Sequence, residues 1–453
     1  MSKSSSYIDE QRRQYSLYVM QMRAIPAASD GLKSAARRVL WTGRDGAKYK
    51  SSVLAASAVP LHPHATPEGA VNTLAARYGN NIPLLTPYGM FGTLLKPTDF
   101  GASRYTSVQI SKFTKEVVFR DIEIVPMQEN YDGTLLEPVH FLPLVPIALL
   151  NPSEGIAIGF ATNILPRSLE DLIVLQLTHL SGAKDLKEPY PKFKPTAAPK
   201  PFLSVASKRE ETERGVAYYF EGSFEKIDAT TIRINKLPYG LMHDKLLNKL
   251  DDLYEKGIIL NYTDHSKDII DIVVKFKKGE LSSRTDDETL HLVGLAIRHI
   301  ENLNVVDFTG KAILNTDPVA FIRLFTDWRL QWYVQRYERL RDLLQDELQR
   351  HYDVRIAIKH KASTTAAKCD SRAELKEWLD AIKIVNVDYI ADLPVYRFTE
   401  EERLKNEEKI KEGETQLKVY LDLLSSEAKR RKVYISELEE VLKNYSKGLY
   451  KNE

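Results

Sequence analysis

Apolar positions along the chain follow two regimes. Through the first two-thirds, short apolar runs alternate with polar ones and are cut by glycine and proline, whereas the last third repeats apolar residues at spacings of three and four. The first regime predicts short helices and strands, and the second predicts long helices. Near the N-terminus, Tyr15, Tyr18, Val19 and Met22 share one face of a helix expected over residues 7–22, which Pro26 ends. Asp30 then reads as the N-cap of a helix over 32–42, with Gly43 as its stop. Leu32, Ala35 and Val39 make one side of it apolar, and Lys33 and Arg37 make the other basic. Strand patterns at 231–234 and 269–276 enclose a helix pattern over 241–256, which predicts an α/β lobe.

From 317 to 361 the apolar series runs Phe321, Phe325, Trp328, Trp332, Tyr337, Leu340, Leu344 and Leu348. A second series from 398 to 445 includes Leu417, Leu421, Leu424, Ile435, Leu438 and Leu442. Such spacings predict a pair of coiled-coil-like helices, with residues 374–392 forming a helical knob between them. Two long helices carrying a knob make a stalk with a tip, a shape suited to dimer contact.

Composition narrows the class. The 453 residues exceed one ordinary core, and 43% hydrophobic with 28% charged content is that of a globular chain without a membrane-spanning run. Its N-terminus, Met1-Ser2-Lys3-Ser4-Ser5-Ser6, lacks the apolar core of a secretory signal. The single cysteine excludes an internal disulfide and a cysteine-rich zinc site, and a reducing cytoplasm is expected. A net charge of +2 says little about partners, but residues 31–50 hold six basic side chains (Lys33, Arg37, Arg38, Arg44, Lys48 and Lys50) against one acid. That concentration is either a solvated helix face or a phosphate-binding patch.

Several ordered motifs then point one way. Arg23-Ala24-Ile25-Pro26, Asp30-Gly31-Leu32-Lys33 and Arg37-Arg38-Val39-Leu40 are followed by His62-Pro63-His64, Asn80-Asn81, Gly89-Met90-Phe91-Gly92 and Ser103-Arg104-Tyr105. Gly155-Ile156-Ala157-Ile158-Gly159 and Ala161-Thr162-Asn163-Ile164 come after them. Together they resemble the breakage-reunion (gyrase A-like) subunit of type IIA DNA topoisomerases over nearly the whole chain. The compact length is closest to that of the family's T-even phage medium subunits. Two departures stand out: Ser34-Ala35-Ala36 replaces the Pro-Val-His of bacterial members, and Pro67 fills a position where they present a serine. The second sets quinolone-type inhibitor binding apart and leaves the nucleophile untouched.

The resemblance implies an α+β multidomain fold with an N-terminal helical arm over 1–22 and a winged-helix (CAP-like) breakage-reunion head over 23–137. An α/β tower over 138–316 would follow, then a long antiparallel coiled-coil stalk from 317–361 and 398–453 with a helical dimerisation tip, the C-gate, over 362–397. It makes Tyr105 the nucleophile. A phenol with a pKa of about 10 serves both as nucleophile and as leaving group, and Arg104 would steady the phosphate oxygens with paired donors. Arg23, Lys33, Arg37 and Arg38 would contact phosphates, together with His62 and His64. By spacing alone, the two histidines could equally be structural residues or ligands of a metal lacking a third ligand nearby. The run Phe141-Leu142-Pro143-Leu144-Val145-Pro146-Ile147 reads by composition as buried core. By resemblance, Val145, before the proline, would insert between base pairs and kink the duplex.

No GxxxxGK[ST] loop and no Toprim-type acidic cluster are present, so Mg²⁺ and ATP are expected on a partner rather than on this chain. The implied function is DNA cleavage and religation within an ATP-dependent type II topoisomerase. Its partners would be double-stranded DNA, a second copy of itself and a Toprim/ATPase subunit, in an A2B2 assembly in the cytoplasm (a host's, if phage-encoded). The chain's end at Glu453 leads to an expectation of relaxation and decatenation rather than negative supercoiling. A different class, a non-enzymatic winged-helix DNA-bending protein with a coiled-coil dimer stalk, accounts for the basic patch and the apolar wedge. It gives no reason for Arg104-Tyr105 beside the histidine pair.

Overall fold

The computed structural model describes Gln11 and residues 23–451, apart from 64–66, 158, 184, 199–201 and 214. Except for Gln11, the helix expected over 7–22 lies outside the described residues. The chain divides into two compact units, Met1–Arg329 with Ile435–Glu453, and Leu330–Tyr434. No helix among the described residues is long and apolar enough to cross a membrane.

The first unit begins with three short helices, Ser34–Thr42, Ser51–Ala58 and Glu68–Ala75. They pack together beside a three-stranded antiparallel sheet in the order Tyr49–Lys50, Ser107–Ile110, Leu85–Tyr88. Val39, Leu40, Leu54 and Val71 are buried because the apolar positions of each helix fall on one side. Gly43 ends the first helix as expected. Asp30, however, is not its N-cap: the helix starts at Ser34, and Lys33 occupies the cap position without a side-chain cap bond. Asp30 is wholly buried and instead accepts from the Leu32 and Phe141 backbone N–H groups at 3.1 and 2.9 Å. The turn between them needs Gly31, at φ +68°, since a Cβ there would lie 2.3 Å from the Ala148 nitrogen.

Two four-stranded sheets follow, with strand orders Ala296–Glu301, Gly215–Glu221, Ser204–Thr212, Lys192–Phe193 and Ser223–Lys226, Thr231–Lys236, Ile272–Phe276, Ile259–Asp264. Helix His243–Glu255 buries Leu246, Leu250 and Leu253 in one core with Ile232, Ile234, Ile272 and Val274 of the second sheet. The expected strands and helix are present, but the pairing is antiparallel throughout, so the lobe is α+β rather than α/β. Short connections such as that between Ile259–Asp264 and Ile272–Phe276 form hairpins, which parallel strands do not allow. Arg167 and Glu301, both buried, share a bidentate ion pair at 2.8 and 2.6 Å.

The second unit holds the greater part of helix Pro318–Lys359, all of the return helix Glu400–Ser425 and the start of helix Glu427–Ser446. Within it, Tyr337 meets Tyr420, Leu348 meets Gly413 and His351 meets Asn406. One set of numbers rises as the other falls, so the helices run antiparallel. A Cβ on Gly413 would lie 2.6 Å from Leu348 Cδ2, which explains a glycine in mid-helix despite its cost of about 1 kcal/mol. Between the long helices, Arg372–Ala381 and Val387–Ala391 bury Leu379 and Ile390 against Val354 and Ala357. The buried Asp353 carboxylate accepts from Gln349, from the Val385 backbone and from both the backbone and side chain of Asn386. Val385, Val395 and Tyr396 stay exposed.

Candidate active site and nucleic-acid interface

Tyr105 sits in a tight turn that the first unit holds by its backbone. The Tyr105 and Thr106 N–H groups donate to the Ala102 carbonyl at 2.8 and 3.2 Å. The opening N–H groups of helix Ser51–Ala58, which lack partners inside the helix, donate to the Thr106 and Ser103 carbonyls at 3.1 and 3.3 Å. Thr106 is buried and its hydroxyl bonds the Ser51 hydroxyl at 2.8 Å. Gly101 leaves room for this arrangement, as a Cβ there would crowd Thr106 and Met90 at 3.1 and 3.2 Å. The backbone is thus pinned while the Tyr105 side chain is 73% exposed. Exposed Arg104 places its guanidinium carbon 5.0 Å from the Tyr105 ring centre, and Lys50 Nζ donates to the Tyr105 carbonyl at 3.4 Å.

Ser103 Oγ donates to Glu68 Oε1 at 2.9 Å, and the helix that Glu68 opens supplies Gly69, Ala70 and Thr73 to the wall of a cleft of about 600 Å³. Arg23, Lys33, Arg38 and His62 line the same cleft, so the structure brings four of the expected contact residues together. Arg23 is exposed. Burial pulls the Lys33 ammonium below the ordinary lysine range, with the charge of Glu154 working the other way, and its Nζ donates to the Glu154 carbonyl at 2.5 Å. The His62 ring is buried and meets Tyr131 edge-on at 5.3 Å. His64 lies outside the described residues. Among the described residues, no group of three or more His, Cys, Asp or Glu side chains converges to hold a metal ion.

Two of the expected phosphate contacts, Arg37 and Arg38, are paired inside the protein. Arg37 forms a bidentate pair with Asp30 at 2.7 and 2.9 Å, and buried Arg38 forms another with Glu137 at 2.5 and 2.9 Å. Burial opposes the Arg37 charge, yet Asp30 outweighs it and holds the guanidinium more firmly protonated than usual. Both guanidiniums are bonded to internal carboxylates, which braces the helix.

The residue expected as the wedge is buried. Val145 is wholly buried, packed in the run that composition alone reads as core, and nothing about it is available to a duplex. The exposed apolar residue is Ile156, at 88%, on strand Ser153–Ala157, which pairs with Phe160–Ile164. The hairpin lies against residue 24: a Cβ on Gly155 would fall 1.9 Å from the Ala24 carbonyl oxygen, and Lys33 reaches the neighbouring Glu154 carbonyl. Sequence reasoning did not single out exposed Ile156, although one signal was available. Glu154 and Ile156 occupy the same face of the strand, so an isoleucine stands where alternation calls for a polar residue.

Comparison with known proteins agrees with this geometry. The profile of the family described as the A subunit of DNA gyrase/topoisomerase IV matches residues 23–439. The DNA topoisomerase medium subunit of Enterobacteria phage T4 is 27% identical over 460 residues, spanning 96% of this chain and 98% of that one. The DNA gyrase A subunit of Brachyspira hyodysenteriae is 28% identical over 487 residues, and the match covers 96% of this chain but 56% of that one. The DNA topoisomerase 4 A subunit of Borreliella burgdorferi is 26% identical over 295 residues, where the match covers 64% of this chain and 45% of that one. The fold matches the DNA-binding, cleavage and re-ligation domain of Plasmodium falciparum topoisomerase II with a TM-score of 0.80 at 20% identity, over 96% of this chain and 64% of that one. By the extent of the family match, this chain belongs to the family of DNA gyrase/topoisomerase IV A subunits.

Proposed function

We propose that this chain is the DNA-cleaving and religating subunit of a type II topoisomerase, with Tyr105 as nucleophile. The observation that carries the reading is a solvent-exposed phenol on a turn whose backbone is fixed at both ends, with the cations of Arg104 and Lys50 beside it. Tyr105 Oη attacks a backbone phosphorus, forming a P–O bond as the bond to the 3′ oxygen breaks. The phenolic proton passes to solvent, and the departing 3′ oxygen gains a proton to become a hydroxyl. The 5′ end stays covalently on the tyrosine, and the reverse attack restores both bonds without other fuel. Arg104 offsets the charge that builds on the non-bridging oxygens.

The cleft lined by Arg23, Lys33 and His62 receives the phosphate backbone beside the break, with His64 on the same motif. Ile156, rather than Val145, enters the base stack and kinks the duplex, a cost of a few kcal/mol of unstacking that the bent DNA's extra contacts offset. The short helices and three-stranded sheet constitute the winged-helix head, the two antiparallel sheets the tower, and the long helices of the second unit a coiled-coil stalk. Its exposed Val385, Val395 and Tyr396 meet a second copy at the tip. The Toprim/ATPase partner of an A2B2 assembly supplies both Mg²⁺ and ATP turnover. Metal bound there neutralises charge on the phosphate.

The test mixes the chain with its Toprim/ATPase partner, Mg²⁺ and supercoiled plasmid, then denatures and looks for protein on 5′ DNA ends. An adduct in wild type that vanishes in Tyr105→Phe, with DNA binding retained, is the expected result. DNA binding and bending without an adduct under any partner or metal condition would leave a non-enzymatic bending protein.

A further inference from the structure

The loop between Phe91 and Phe100 is closed at its base and bare of its own core. Phe91 and Phe100 form an antiparallel bridge, while Gly92 N–H donates to the Asp99 carbonyl and Gly101 N–H to the Met90 carbonyl, both at 3.0 Å. At the far end, Thr93 N–H donates to the Lys96 carbonyl and Lys96 N–H to the Thr93 hydroxyl, both at 3.0 Å. Gly92, at φ +89°, is held so near Pro97 that a Cβ would lie 2.3 Å from the Pro97 carbonyl oxygen. The result is a stiff arm whose base runs directly into the Tyr105 turn.

Its tip carries Leu94 and Leu95, flanked by Thr93 and Lys96. Both leucines are half-buried, and both pack on the core that Leu246, Leu250, Ile272 and Phe276 build under the Ser223–Lys226 to Ile272–Phe276 sheet. Beside that contact a cleft of about 310 Å³ separates Arg77, Met90 and Thr93 from Lys267 and Asp268 in the turn before strand Ile272–Phe276. The arm therefore meets the sheet through a small apolar foot at the edge of open space, not through a continuous core.

We propose that Leu94 and Leu95 are positioning residues for Tyr105: they latch the nucleophile's arm to the sheet lobe, so that the lobe sets the in-line alignment of the phenol. The proposal rests on Tyr105 being the nucleophile. Phosphoryl transfer depends heavily on such alignment, and a misplacement on the order of 1 Å costs about 100-fold in rate.

The experiment uses the full chain with its partner, Mg²⁺ and a duplex oligonucleotide in single turnover. It compares wild type, Leu94→Ala/Leu95→Ala and Leu94→Met/Leu95→Met. With the alanine pair, the rate constants of adduct formation and of religation are both expected to fall by about 10- to 100-fold. Adduct amplitude and DNA affinity stay unchanged, and the methionine pair recovers most of the rate. A merely structural role would lower the amplitude through lost folded enzyme and leave both rate constants alone, which would overturn the latch. Unchanged rates and amplitude would overturn it as well. No adduct in wild type would instead overturn the cleavage reading, and the latch with it.

Discussion

Arg37 and Arg104 belong to the same unit, yet Arg37 ends on the wholly buried Asp30 carboxylate and Arg104 stands in solvent beside an exposed phenol. Val145 and Ile156 repeat the contrast among apolar residues, one with no exposure and the other with 88%. In the region of residues 30–38 and 141–148, charge and bulk are spent on holding the helix layer in place. In the Tyr105 turn and the Ser153–Ala157 hairpin, the same side-chain types are left outward by backbone that is itself tied down. The difference follows from desolvation: a buried cation is tolerated only with a fixed partner, which removes it from use on a ligand. Residues that act on DNA are therefore sought where the backbone is fully bonded and the side chain is not.

The largest effect that would break this contrast is on stability. Arg37→Ala strands the Asp30 carboxylate in the interior and is expected to cost about 3–5 kcal/mol in urea unfolding of the chain. Arg104→Ala should leave the unfolding midpoint where it is. Next in size is the effect on chemistry. Arg104→Ala is expected to slow adduct formation by about 100- to 1,000-fold, the loss typical of a donor at a charged transition state. Rates per folded molecule should stay near wild type for Arg37→Ala. Unfolding loss in Arg104→Ala, or rate loss in Arg37→Ala that exceeds its unfolded fraction, would show that the division between brace and tool is wrong.

Much of this division was legible before the structure, and the reasons for the failures are physical. Local signals held: Gly43 stops its helix, the strand at 231–236 and helix His243–Glu255 form near their expected places, and apolar spacing locates the long helices. The turn at Tyr105 was not read from the sequence, and there Gly101 is needed because a Cβ would crowd Thr106 and Met90. Arg38 misled because its carboxylate lies 99 residues away at Glu137, a pairing that no local pattern encodes. Asp30 misled because a short acid before a helix has the same sequence signature whether it caps that helix or serves as a buried acceptor for Arg37 and Phe141. Val145 is buried, as the composition of its run reads, whereas the resemblance that made it a wedge carries no information on burial.

The wedge assignment gives a smaller and sharper test, because its two candidates should fail in opposite ways. Val145→Ala removes buried methyl groups and is expected to cost about 2 kcal/mol in unfolding, with the bend angle of bound DNA unchanged. Ile156→Ala should cost under about 0.5 kcal/mol, as surface changes usually do, and should reduce the bend seen by energy transfer between the duplex ends. Equal bending by both variants and wild type would remove the wedge from either residue.

The smallest effect is electrostatic, and it asks whether the bidentate pairs stay closed on DNA. Each phosphate neutralised by a protein cation contributes about 0.9 to the slope of log affinity against log salt. Arg23 is exposed at the cleft that His62 and Lys33 also line, so Arg23→Ala is expected to lower that slope by about one with no loss of folded protein. Arg37→Ala, measured on the folded fraction at low temperature, should leave the slope as it is, because Asp30 neutralises that guanidinium before any phosphate arrives. A drop of about one in both variants would mean that DNA pulls Arg37 out of its pair. The brace would then be a reserve of charge that binding releases, and the line between the two regions would move with the ligand.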